Sequence, residues 1–293
     1  MAQQGVAVPT RFGATARRDA WWKAPVLTFL GLSAFVVYST IVGLTGKYFE
    51  VRENTANFSG RAVAPYLSPF YAPLVYDSTS RHAWFAAKQP GWWPAGLAFS
   101  AATLILWGPG LFRFTCYYYR KAYYRAFWAD PPACAVGEPR KTYWGERRFP
   151  LVMQNAHRYL MYVALVFLVL LAWDALQAFW WPVDRAGAPV EGGVFGAGVG
   201  TFIMIVNVVL LGGYTLGCHS LRHVVGGRMD CFSCVAGSSG GEKLRAGYQA
   251  WKLSTFLNEH HMGWAWASLT SVGLTDLYIR LCAMGIIHDP RLF

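Results

Sequence analysis

Charge is what this chain has least of. Of 293 residues only 14% are Asp, Glu, Lys or Arg, where a soluble domain of this size carries roughly a quarter. Acidic side chains are the scarcer kind, 15 against 26 basic ones. Cysteine numbers six in the whole chain, too few for a disulfide scaffold, and 55% hydrophobic residues exclude a disordered or collagenous chain. There is no nucleotide-binding glycine motif, no recognisable catalytic triad and no His-Glu-x-x-His stretch. Chemistry on a nucleotide or by a zincin mechanism is therefore not expected of this chain itself.

What is present suits a bilayer. The mean hydropathy is +0.26, and a net charge of +11 in so apolar a chain fits basic loops under the positive-inside rule, with no nucleic-acid partner expected. Fourteen Trp and sixteen Tyr suit aromatic belts at two interfaces. A spanning helix needs about 20 mostly apolar residues, and five stretches qualify, at approximately 25–46, 94–118, 155–181, 194–224 and 260–287. The expected fold is an all-α integral membrane protein of five transmembrane helices, one membrane domain over 1–293, in the cell's inner (plasma) membrane. Eighteen of the 26 basic residues fall on one side if the N-terminus is cytoplasmic, which sets that orientation. The first stretch is too long for a signal-peptide core and no small-residue cleavage site follows it, so it reads as a retained helix. Residues 47–93, rich in Pro and aromatics, become a long outer loop, and 225–257 an inner loop.

Histidine and cysteine sort by depth. Cys116, His157, Cys218, His219, His223, Cys231, Cys234, His260 and His261 all fall at the inner face. The densest stretch holds Cys218, His219 and His223, then Cys231-Phe232-Ser233-Cys234. A Cys-x-x-Cys turn chelates one ion with two thiolates, and His at i and i+4 present both imidazoles on one helix face. Two thiolates with two imidazoles describe either a tetrahedral zinc or a [2Fe–2S] cluster, and Cys218 as a third thiolate leaves a three-Cys, one-His set open. The blander account is interfacial His at a helix end beside a solvated thiol pair, which explains either half better than both together. Two carboxylates, Asp174 and Asp276, fall inside spans, where an acid is a functional candidate by default. Asp276 has Arg280 four residues on, so an ion pair is the expected explanation there.

Four stretches resemble a known family: Thr115-Cys116-Tyr117-Tyr118-Tyr119-Arg120-Lys121-Ala122-Tyr123-Tyr124-Arg125, Asp130-Pro131-Pro132-Ala133-Cys134, Gly217-Cys218-His219 through Cys234, and Asn258-Glu259-His260-His261-Met262-Gly263-Trp264-Ala265-Trp266. They are similar to the cytochrome b-like membrane anchor of actinobacterial-type succinate dehydrogenases, five-helix subunits with a Rieske-type cluster in the membrane arm. The resemblance spans nearly the whole chain. It implies an anchor of a succinate:quinone oxidoreductase in the respiratory chain and tricarboxylic acid cycle, with succinate oxidised on a flavoprotein partner that carries FAD. Electrons would arrive from an iron–sulfur subunit and leave through the cluster to menaquinone or ubiquinone, and the complex could associate into a higher oligomer. Metal ligands would come from Cys218, His219, His223, Cys231 and Cys234. The spacing departs from the soluble Rieske pattern of Cys-x-His with Cys-x-x-His, so the resemblance does not fix which four.

A quinone needs an apolar slot beside groups that bind its carbonyls and pass protons. His157, Arg158, His260, His261 and Trp264 lie at the right depth, and basic stretches around Arg120–Arg125 and Arg140–Arg148 suit docking of an iron–sulfur subunit or plain positive-inside charge. Two other functions compete. A heme b anchor would use His157 and an inner-face His; two hemes are not expected, because the first two spans contain no His. A zinc-binding membrane protein or transporter would rest on the inner cluster and on Asp174.

Overall fold

The computed structural model describes residues 11–51, 64–78, 80, 82–87, 89–96, 99–140, 148–149, 151–186, 188–226 and 241–293. The chain packs as two units, Met1–Val37 with Arg113–His157, and Tyr38–Phe112 with Arg158–Phe293. Among the described residues, three helices are long and apolar enough to cross a membrane: Lys23–Thr45, Val152–Gln177 and Val199–Leu216.

Helix α1 (Lys23–Thr45) starts with Pro25 in its first turn, where a missing N–H costs nothing, and ends at Gly46 in the left-handed region (φ 60°). Only Val42 and Gly43 are buried along it; Leu27, Leu30, Val36, Val37, Ile41 and Leu44 face outward, as lipid contact requires. Its last carbonyls, which no intrahelical N–H can reach, are met by side chains. The Tyr71 hydroxyl lies 2.9 Å from the Val42 carbonyl, Ser100 donates to Gly43, and Arg280 Nη2 lies 3.2 Å from Val42. No described residue between 47 and 93 is helical.

The second expected span is broken. The described residues 94–96 and 99–101 are not helical, with Gly96 left-handed (φ 90°); helix is described at α2 (Ala102–Ile105), followed by α3 (Trp107–Thr115). Pro109 explains the interruption: it cannot donate, and its ring collides with the carbonyl four residues earlier, that of Ile105. At Cys116 the backbone turns extended (ψ 133°) before α4 (Tyr117–Trp128). The expected helix 94–118 is therefore three pieces, the last running ten residues beyond it.

The 3₁₀ turn Leu151–Ala156 leads into α5 (His157–Gln177), which stops short of the expected residue 181. The departure from an all-helical chain lies here: β1 (Trp180–Val183) and β2 (Pro189–Phe195) form an antiparallel hairpin, Trp180 opposite Phe195. α6 (Val199–Leu216) replaces the long expected helix 194–224, again interrupted at a cysteine, Cys218 (ψ 134°), before α7 (His219–Val225). The inner loop 225–257 is corrected as well. α8 (Gly241–Glu259) occupies much of it, because Leu244, Tyr248, Trp251 and Thr255 recur at helical spacing in a stretch too polar to register as a span. α9 (His261–Ala283) closes the second unit against α6, with Asn207 accepting from Ser271 at 3.1 Å between them.

Two polar knots hold this unit at the end away from α7. Asp276 accepts from Arg280 Nε at 2.7 Å, from Tyr38 at 2.6 Å and from Ser68, while Arg280 also donates to the carbonyls of Val42 and Lys47. Asp289 accepts from Tyr66 at 2.6 Å, from Tyr278 and from the Gly200 backbone N–H at 2.8 Å, setting a carboxylate on the positive end of α6. A β-carbon at Gly198 would lie 1.7 Å from Asp289 Oδ2, so glycine is required there.

Candidate functional site

The second unit gathers most of the singled-out residues where α6, α7, α8 and α9 meet. Cys218 is buried at 1% exposure, whereas His219 and His223 are both exposed, one turn apart on α7. α8 holds that short helix in place. Arg222 stacks its guanidinium 5.2 Å over Trp251, Ser254 donates to the Leu216 carbonyl at 2.9 Å, and Asn258 donates to that of Gly217 at 2.8 Å. The orphan carbonyls at the end of α6 are thus met by α8 rather than by water. Cys231 and Cys234 lie outside the described residues. Among the described residues no three His, Cys, Asp or Glu side chains gather as a metal site.

Beside α7 lies an aromatic cluster. His261 stacks on Tyr214 with ring centres 4.9 Å apart, and Tyr214 meets Phe112 edge-on at 5.5 Å. Trp264 packs against Gly213 so closely that a β-carbon there would come within 2.6 Å of the indole. The Trp264 Nε1 atom is buried and meets no hydrogen-bond partner among the described residues. A buried indole N–H normally finds an acceptor, so it is a donor held ready for one. His260 is exposed between α8 and α9, its Nδ1 3.4 Å from the Phe256 carbonyl. Arg158 is exposed and engages its neighbour, 2.9 Å from the Tyr159 hydroxyl and 4.8 Å over its ring.

His157 belongs to the first unit. It is buried at 7% exposure, with Nδ1 hydrogen-bonded to Thr115 Oγ1 at 2.9 Å. Gln154, one turn before it, donates to the Phe114 carbonyl at 3.3 Å and to the Tyr123 hydroxyl at 3.1 Å. Burial pushes the hydroxyls of Tyr119 and Tyr123 up to about 12, so both stay protonated.

Tyr214, Gly213 and Thr115 carry part of this geometry and were not among the candidates read from sequence. A signal for the first two exists: Gly213-Tyr-Thr-Leu-Gly217 is a small-xxx-small pattern, the mark of close helix approach in a membrane. A Gly213→Ala variant should displace Trp264 and lower stability by about 1–3 kcal/mol, the usual penalty of overpacking. Indole fluorescence together with thermal unfolding of the purified protein checks this; unchanged values in both would show that the contact is slack.

This is a helical membrane subunit with a polar-aromatic cluster at one end of its bundle. The family model for actinobacterial succinate dehydrogenase subunit SdhC matches residues 23–285, and the chain belongs to that family. It is thus the membrane anchor subunit of a succinate dehydrogenase, multi-pass in the plasma membrane. A solved chain of the Mycobacterium smegmatis Sdh1 complex in the apo form is similar over the full length, with 40% identity, a TM-score of 0.79, and coverage of 100% of this chain and 97% of that one. No curated protein matches the chain.

Proposed function

We propose that this anchor receives electrons from the iron–sulfur subunit of its complex and delivers them to a membrane quinone beside a Rieske-type [2Fe–2S] cluster. The observation that carries the reading is the buried, unpartnered Trp264 Nε1 next to the Tyr214–His261 stack, one helix away from the exposed His219–His223 pair. The donors fit such a cluster in kind: two imidazoles one turn apart on α7, and two thiols that follow in Cys231-x-x-Cys234, with Cys218 as the alternative thiolate. Bound there, the cluster supplies one-electron transfer at a potential raised by imidazole ligation to roughly −150 to +300 mV.

The chain's own residues do the rest. α8 holds the end of α6 through Ser254 and Asn258 and α7 itself through Trp251 under Arg222, which keeps the imidazoles oriented. Tyr214, His261 and Trp264 form the wall of an apolar slot, Trp264 Nε1 donates to a quinone carbonyl, and His261 passes the proton, resupplied through exposed His260. His157, held by Thr115, and Arg158 are placed in supporting roles at the start of α5. The partners are the flavoprotein and iron–sulfur subunits.

The test is spectroscopic. Iron and acid-labile sulfide should co-purify with the assembled complex, and dithionite reduction should give a Rieske-like EPR signal. A pyridine hemochrome signal without it would replace this reading by a heme anchor.

Orientation and span number complete the proposal: five crossings, N-terminus cytoplasmic and C-terminus outside, from the distribution of Lys and Arg. A membrane-impermeant thiol reagent on intact cells should label a cysteine engineered in 47–93 and spare one in α8. The opposite pattern would invert the topology.

A further inference from the structure

The second unit buries an irregular segment among its helices. Residues 64–74 contain no helix, yet Tyr66, Ser68 and Ala72 are fully buried, and Leu67, Phe70 and Tyr71 stay at 4% exposure or below. Ser68 donates to Asp276, two turns before the end of α9, and Tyr38, two turns before the end of α1, donates to the same carboxylate at 2.6 Å. At 1.5 Å per residue this sets Ser68 roughly 10 Å inside the helix ends. The Tyr66 hydroxyl donates to Asp289 at 2.6 Å and lies 3.3 Å from Thr201 Oγ1 in the first turn of α6, and its ring meets Trp181 of β1 edge-on at 5.8 Å. A β-carbon at Gly200 would come within 2.4 Å of that ring, so α6 starts around this side chain. Tyr71 accepts from the Gly46 N–H at 3.1 Å and caps the end of α1. The segment's own backbone is met as well: the Ser68 N–H donates to the Phe49 carbonyl at 2.7 Å, and the Tyr66 carbonyl accepts from the Val51 N–H at 3.3 Å.

We propose that residues 64–74 form a re-entrant plug that closes the end away from α7 to water and protons, so that quinone reduction draws both of its protons from the α7 end and moves no net charge across the membrane. The inference rests on the reading that quinone is reduced beside α7. Non-helical backbone at membrane depth persists where protein buries it or where it lines a water-filled cavity. With three side chains at 0% exposure, burial by protein is the case here. Tyr66 belongs to an apolar cluster with Ala178, Met204, Ile279 and Cys282, drawn from the end of α5, from α6 and from α9. The carboxylates at this end are held by hydroxyls of the plug, Asp276 by Ser68 and Asp289 by Tyr66. At the other end the quinone gains two electrons from the iron–sulfur subunit and two protons from the water on the same side, giving quinol. The charges of electrons and protons then cancel on that side.

The test has two readings on the assembled complex. In sealed proteoliposomes with quinone in the bilayer, succinate added outside drives only complexes whose soluble subunits face outward, so the plug end faces the lumen. A pH dye trapped in the lumen should show no alkalinisation during turnover; loss of protons from the lumen in step with quinol formed would overturn the proposal. The second reading needs neither succinate nor quinone, and so stands apart from the electron-path reading. Cys282, at 3% exposure in the cluster around Tyr66, should resist a charged thiol reagent in the detergent-solubilised complex, where both ends meet the reagent, as read by peptide mass spectrometry. Tyr66→Ala leaves a hole beside the Asp289 carboxylate and the Thr201 hydroxyl, polar enough to take water, and Cys282 should lose its protection. Tyr66→Phe keeps the bulk and should keep the protection. Labelling of Cys282 in the unaltered complex as fast as in Tyr66→Ala would overturn the plug, and so would full protection in a folded Tyr66→Ala complex. Both readings on the unaltered complex decide the matter even where Tyr66→Ala does not assemble.

Discussion

An Arg280→Ala variant is expected to lose about 3–5 kcal/mol of stability, the usual consequence of leaving one partner of a buried ion pair alone. Asp276 is wholly buried and Arg280 has 5% exposure. With the guanidinium removed, the carboxylate keeps, among the described residues, the hydroxyls of Tyr38 and Ser68; the Lys47 carbonyl loses its side-chain donor, and the Val42 carbonyl is left to the hydroxyls of Tyr71 and Thr45. The Asp276 carboxylate is wholly buried, where water does not readily replace the lost bond. The effect should be far from additive. An Asp276→Asn/Arg280→Gln double variant keeps hydrogen-bonding capacity without net charge on either side, and should recover most of the loss. Thermal unfolding of the assembled complex in lipid nanodiscs, read over the full double-mutant cycle, gives both numbers. If Arg280→Ala unfolded like the parent, the pair would be a bystander and the tie between α9 and the end of α1 would lie elsewhere.

The second large effect concerns the electron path. If the proposed cluster is held as described, Cys231→Ser should abolish it, since a serine hydroxyl is a much poorer ligand than a thiolate for sulfide-bridged iron. His223→Cys, by contrast, should leave a cluster whose added negative charge lowers its potential. For a one-electron centre every 59 mV is about 1.4 kcal/mol, so such a cluster fills less readily from upstream. Quinone reduction should slow sharply while turnover with an artificial acceptor at the flavin stays near that of the parent. Quinone reduction at the parent rate in His223→Cys would remove His223 from the ligand set and direct attention to His219, Cys218, His260 and His261.

The parts of this molecule readable from its sequence are those governed by local rules. α1, α5 and α6 each register as long apolar runs, that of α5 broken by Asp174, and the Asp276–Arg280 pair follows from i, i+4 spacing alone. The broken second span was legible in principle, because Pro109 and Gly96 stand in the run, but mean hydropathy over a window does not register a missing donor. The hairpin after α5 was hidden for a related reason: Trp180 to Val183 is as apolar as the helix before it, and only the chain's return through Gly192 and Gly193 makes it a strand. α8 escaped because a polar amphipathic helix looks like a loop to a search for spans. Within the site, His261 and Trp264 were found by residue type and depth. Their partners Tyr214 and Gly213 were not, since those contacts join positions about fifty residues apart. The same holds for Asp276, whose acceptor role toward Tyr38 and Ser68 links residues more than two hundred positions distant.

The knot around Asp276 also has a meaning for how the chain is made. On translocon scales an Asp or Arg at a helix centre is penalised by about 2.5–3.5 kcal/mol, so α9 is a poor candidate for insertion on its own, even though it is as long as α1. Ribosomes deliver α1 first, and with it the Val42 and Lys47 carbonyls and the Tyr38 hydroxyl that receive the charged pair. The last helix therefore enters a bilayer that already contains its counterpart, and the order of synthesis becomes part of the folding code. A nascent chain whose first helix has failed presents a helix whose ion pair lacks its hydroxyl and carbonyl partners, the kind of lesion by which a membrane protease tells an orphaned subunit from a finished one.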